Sequence, residues 1–249
     1  MSFLISFRAE LIKVKRTAAL KLCIVASALL PLLLFLEFFE ETPKAKGVAW
    51  NSFFDEGRQG LNFAFLPLYI ILVSTLLLQV EYRDRTWKQV LTSPQKLSNI
   101  FFAKFALLQL LIILFLISYN VWQAITGAAI ENLYPDLFTG FNLRQLIIPN
   151  AQSYFLVFGI SAIQFWLALR FKNFIAPVAI GFMLWVMAPT MIFEMNWQFA
   201  DKYPYSYSIL GVLKKYKANV VNYQWYSLIN AVVFLSIAFI EFNIRKVKT

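Results

Sequence analysis

Apolar residues run together in six stretches, each near the roughly 20 residues needed to cross a hydrocarbon layer about 30 Å thick. They are Leu22–Phe39, Leu61–Val80, Ile100–Trp122, Ala151–Leu169, Phe174–Phe193 and Trp225–Phe242. Backbone in contact with lipid must bond to itself, and no ten-residue alternating pattern points to a barrel, so the spans are expected to be helices. The expected fold is an all-α membrane protein of six transmembrane helices, with residues 1–249 as a single domain and no internal repeat. Pro31, Pro67, Pro177 and Pro189 fall inside spans. Each removes a backbone donor and predicts a bend, although proline is widely tolerated in membrane helices.

With an even number of spans both termini share one side. Fourteen Lys or Arg sit on the short segments 1–21, 81–99, 170–173 and 243–249, against eight on the longer segments 40–60, 123–150 and 194–224. Glu40, Glu41, Asp55, Glu56, Glu131, Asp136, Glu194 and Asp201 all belong to the second set. The positive-inside rule then puts both termini in the cytoplasm of a multi-pass protein. Lys214, Lys215 and Lys217 dissent, since they fall on the outer side. The stretch after the first span, Glu37-Phe-Phe-Glu-Glu-Thr-Pro, is no small-residue cleavage site, so the first span is expected to be retained.

Composition narrows the chemistry. Only 14% of residues are charged, where a soluble domain carries about a quarter. There is no histidine, and Cys23 is the one cysteine, which excludes His-based triads, HExxH zinc sites, disulfide frameworks and Cys-rich clusters. None of the eight glycines precedes a lysine, so the GxxxxGK[ST] phosphate loop is absent and the chain is not expected to be an enzyme, to bind a metal or to hold a cofactor itself. The net charge of +10 lies mostly on the short segments, and nucleic acid is not needed to explain it.

Two segments carry further pattern. Phe3, Leu4, Phe7, Leu11 and Val14 recur at helical spacing with Arg8, Glu10, Lys13, Lys15 and Arg16 largely between them, which predicts a helix lying in the interface before the first span. Between spans two and three, Trp87, Val90 and Leu91 form an apolar stripe on a short helix ending before Pro94, although a solvated loop fits the composition as well.

The order Glu81, Thr86-Trp87-Lys88, Leu91-Thr92, Pro94 and Lys104 resembles the second cytoplasmic segment in permease subunits of type-two ABC exporters, especially bacteriocin and lantibiotic self-protection permeases. Glu10-Leu-Ile-Lys-Val-Lys-Arg-Thr resembles the opening of the same permeases. They often have Gly-Thr where this chain has Arg85-Thr86. The resemblance implies that residues 81–99 form a coupling helix, with Glu81, Arg83, Arg85, Thr86, Trp87, Lys88, Leu91 and Pro94 facing a separate cytosolic ATPase that holds ATP and magnesium. A second permease copy or a paralogue completes the expected assembly.

Polar groups inside the spans are sparse. Lys104 lies within a turn of a span end and is expected to snorkel to the interface. Gln79, Gln109, Asn120 and Gln164 either glue helices together or line a pathway. No carboxylate sits near a midplane, which argues against ion-coupled transport. Among the outer connections, residues 194–224 read as an aromatic belt at the interface more readily than as a landing surface for an amphipathic ligand, and 123–150 as short helices against that interface. The expected function is the non-catalytic membrane subunit of an exporter for a hydrophobic or amphipathic cargo, a peptide antibiotic or a lipid-like molecule. The alternative is a membrane scaffold or channel-forming partner without ATP-driven transport.

Overall fold

A computed structural model of the chain describes residues 3–15, 17–40, 48–83, 95–195 and 197–247. Helix α1 (Phe3–Lys15) precedes α2 (Ala18–Glu40). A short strand β1 (Val48–Ala49) leads into α3 (Trp50–Gly60), which continues through a π-helical turn at Leu61–Phe65 into α4 (Leu66–Arg83). Then come α5 (Leu97–Leu133), strand β2 (Phe138–Thr139), α6 (Leu143–Arg170) and α7 (Ile175–Pro189) with a π turn at Thr190–Glu194. After 3₁₀ turns and the four-residue α8 (Tyr207–Leu210), a further 3₁₀ turn at Lys214–Asn219 opens α9 (Val220–Val247).

Six helical stretches are long and apolar enough to cross a membrane: Ala18–Glu37, Trp50–Tyr82, Leu97–Leu133, Leu146–Arg170, Ile175–Glu194 and Lys214–Ile244. The protein is an all-α membrane protein, and both described ends of the chain approach the same face of the bundle, here called the terminal face. Helix α5, at 37 residues, spans about 55 Å and overshoots a bilayer core. Residues 123–150 therefore do not form separate short helices: most of them extend α5 and begin α6. Between these helices, β1 pairs in parallel with β2, and Trp50, Phe53 and Phe138 pack ring to ring, with centroids 4.7 Å apart for Trp50 and Phe138.

The core gathers around α4, α5 and α6. Helix α6 lies between α4 and α9, while α2 packs along α5. Gly159 makes the α6–α9 approach close enough that a Cβ there would sit 2.9 Å from the Ser227 carbonyl oxygen. Two prolines adjoin the π turns, Pro67 after the first and Pro189 before the second. Pro67 has no amide to offer the Phe63 carbonyl, and Trp185 Nε1 of α7 donates to it at 2.9 Å. A helix-helix contact thereby uses a backbone group that the proline releases.

Candidate functional site

The terminal face is organised by Lys104, which has no solvent exposure. An ammonium buried this deeply requires counter-charges, because the desolvation cost is several kcal/mol. Lys104 Nζ donates to Glu10 Oε2 of α1 at 2.8 Å and to Glu81 Oε1 near the end of α4. Lys13 Nζ, on the open side of the cluster, donates to Glu10 Oε1 at 2.7 Å and to Glu81 Oε1 at 3.1 Å. Among the described residues two carboxylates and two ammoniums thus form a cluster that joins α1, α4 and α5. The snorkelling expected of Lys104 does not occur, since its head is consumed by these partners.

Burial alone pushes the Glu10 carboxyl up, but Lys104 and Lys13 outweigh it and hold the group below its ordinary 4.5. For Lys13, burial works to lower the ammonium, and Glu10 and Glu81 outweigh it to hold it above 10.5.

Helix α1 docks through Ser6, Glu10 and Val14, with Phe7 and Leu11 packed against the core. Phe3 stacks on Phe7, and Lys15 is exposed. The docked face thus includes Glu10, which the helical pattern had assigned to the basic side, while Leu4, Ile5 and Ile12 are left exposed. Arg16 lies outside the described residues.

Of the expected coupling residues, Glu81 sits in the cluster and Arg83 ends α4. Arg85, Thr86, Trp87, Lys88, Leu91 and Pro94 lie outside the described residues. The flanks of that segment are tied firmly. Tyr82 donates to the Leu169 carbonyl at 2.6 Å, and Ser6 Oγ donates to Gln95 Oε1 at 2.7 Å. A second knot lies beside it, where Trp166 Nε1 donates to Glu241 Oε2 at 2.9 Å and bridges α6 to α9.

Inside the bundle, Gln109 Nε2 donates to Ser161 Oγ at 2.9 Å, and Asn120 and Asn150 exchange amide hydrogen bonds. Gln164 Nε2 donates to Tyr205 Oη at 2.7 Å. Each bond joins separate elements. Gln79, half-buried, has an Nε2 without a hydrogen-bond partner among the described residues.

The Gln164 bond reveals the main departure beyond α7. Gln164 lies six residues before the end of α6 at Arg170, about 9 Å along the axis from the terminal face. Tyr203 Oη also reaches inward, donating to the Leu184 carbonyl at 2.6 Å. Tyr205 and Tyr207 are buried in the core. Residues 200–210 therefore turn back into the bundle, which takes Tyr203, Tyr205 and Tyr207 out of the expected belt, while Trp197 and Phe199 stay exposed. Among the described residues no group of three or more metal-ligating side chains gathers.

A family model described as "ABC-2 family transporter protein" matches residues 6–188. The chain belongs to this family. No curated protein matches it. As an ABC-2 permease it is a membrane subunit of an ABC transporter, of a kind that is generally non-catalytic and associates with an ABC ATPase. The matched residues contain the whole terminal-face cluster, whereas the re-entrant segment and α9 lie beyond them.

Sequence reasoning did not foresee the cluster. The signal was present, since a lysine inside a span calls for a carboxylate partner, and Glu81 ends the preceding span.

Proposed function

We propose that this permease works in an ATP-driven exporter, with segment 84–94 seated on a cytosolic ATPase that holds ATP and magnesium. The supporting observation is that both flanks of the segment are bonded into the bundle, Glu81 and Tyr82 before it and Gln95 after it. A displacement of the segment is then carried to α1, α5 and α6 together, because the ion cluster ties α1 and α5 to α4 and Tyr82 ties α4 to α6. In this reading the terminal face is cytoplasmic, the membrane is the bacterial plasma membrane, and α1 runs along its inner interface with Leu4, Ile5 and Ile12 toward lipid. Two permeases, identical or paralogous, face each other, and a hydrophobic or amphipathic cargo passes outward. The resemblance to self-protection permeases favours a peptide antibiotic or lipid-like molecule as that cargo.

The test is ATPase stimulation in proteoliposomes containing the permease and the ATPase encoded beside it. Trp87→Ala should abolish stimulation while the permease still elutes as a folded species. Stimulation that survives Trp87→Ala and Glu81→Gln at the wild-type level, or a permease that never engages the ATPase, would refute the proposal and leave a scaffold role.

A further inference from the structure

The far face, opposite the termini, holds a cavity of about 570 Å³ lined by Gln59, Phe193, Lys214, Lys215 and Tyr216. A second cavity of about 260 Å³, lined by Trp197, Gln198 and Asp201, adjoins it, and the two share Ile192, Lys215 and Tyr216. Their walls come from the π turn after α7, the re-entrant segment and the 3₁₀ turn before α9. The volumes are of the size that holds a small-molecule headgroup.

Three features specify the ligand. First, Lys214 and Lys215 are exposed at the cavity, and no ion pair among the described residues involves them. Each offers three N–H donors to an anion. These are the same lysines whose position runs against the charge bias of the chain, so topology does not account for them. Second, Asp201 places a carboxylate in the wall of the smaller cavity, and its buried Oδ1 has no hydrogen-bond partner among the described residues. Third, Phe193 and Trp197 line the cavities and are exposed, and the exposed Phe199 packs edge-on against Trp197. A free phosphate would leave this apolar rim uncovered, whereas acyl chains cover it.

We propose that the paired cavity binds the headgroup of a phospholipid. Its phosphate lies against Lys214 and Lys215, a hydroxyl or ammonium of the headgroup donates to Asp201, and its chains run along Phe193 and Trp197. Most of these residues lie outside the part of the chain that matches the ABC-2 family. The site stands apart from the coupling reading, because it needs neither an ATPase nor transport.

The test is native mass spectrometry of the full chain released from nanodiscs of mixed phosphatidylglycerol and phosphatidylcholine. The wild type should retain phosphatidylglycerol preferentially. K214Q/K215Q should lower that retention by about fivefold or more, the scale expected from removing cations beside an anionic headgroup. K214R/K215R should preserve it, and so should K217Q, whose lysine does not line the cavity. Phosphatidylmethanol carries the same charge without hydroxyls, and the wild type should retain it less well than phosphatidylglycerol, a difference that Asp201→Ala erases. Undiminished retention in K214Q/K215Q, an equal loss in K217Q, displacement by soluble glycerol phosphate, or no discrimination between the two anionic lipids would overturn the assignment.

Discussion

The two ends of this bundle treat charge in opposite ways. At the terminal face Glu10, Lys13, Glu81 and Lys104 pair with one another, and all but Lys13 are buried. At the far face Lys214, Lys215 and Asp201 border open space. A closed cluster of buried ions cannot serve an external ligand without losing its own pairing, so its role is to hold α1, α4 and α5 in one arrangement. Charges around a cavity do little for the fold and remain available to a ligand. The first set should therefore be measurable as stability, and the second as binding.

The largest effect should come from Lys104→Met, which leaves two buried carboxylates sharing the single ammonium of Lys13 and should cost about 3–5 kcal/mol. Thermal unfolding in detergent measures it, and adding Glu10→Gln and Glu81→Gln to the same chain should recover much of the loss. Recovery that fails to appear would show that Lys104 matters for its packing and not for its charge.

A change of pH probes the same cluster more gently. The Glu10 carboxyl is held below 4.5 in the fold, so its contribution is complete above that value and is lost as pH falls through the depressed one. Lys13 is held above 10.5, so its contribution is complete below that value and is lost as pH climbs through the raised one. Spin-label distances between α1 and α5 should stay constant over the neutral range and lengthen only at the acid and alkaline extremes.

Packing away from both ends gives smaller effects. Gly159→Ala drives a methyl toward the Ser227 carbonyl and should destabilise the α6–α9 contact by about 1–3 kcal/mol. Tyr205→Phe removes the partner of Gln164 Nε2 and should cost about 1 kcal/mol. The smallest change is expected for K214Q/K215Q, within about 0.5 kcal/mol in unfolding, because exposed charges away from the core carry little stability. A large loss there would erase the contrast between the ends.

Much of the architecture was legible in the linear pattern. Span count follows from runs of apolar residues, a property each segment carries by itself: four expected stretches fall within long apolar helices, while Leu22–Phe39 and Phe174–Phe193 each overrun theirs by a residue or two. Boundaries were less legible. Helix α5 continues past Trp122 because Gln123 donates to the Phe53 carbonyl and Ile130 packs beside Phe53 and Phe138, contacts made with distant parts of the chain. The site was legible only in fragments. Glu81 stood out by resemblance, while Glu10 looked like one more polar residue on an amphipathic helix.

The sequence by itself determined that this is a six-span helical membrane protein without histidine chemistry or a phosphate loop, since span length and residue type are local quantities. Tertiary structure decided which charges are spent. Glu10 meets Lys104 from 94 positions away, and an ammonium placed at a span end becomes buried only once α1 folds across it. It also decided the path of residues 200–210. Tyrosines serve equally well in an interfacial belt or a core, and the hydrogen bonds from Gln164 to Tyr205 and from Tyr203 to the Leu184 carbonyl, with the stacking of Tyr207 on Tyr223, hold that segment inward.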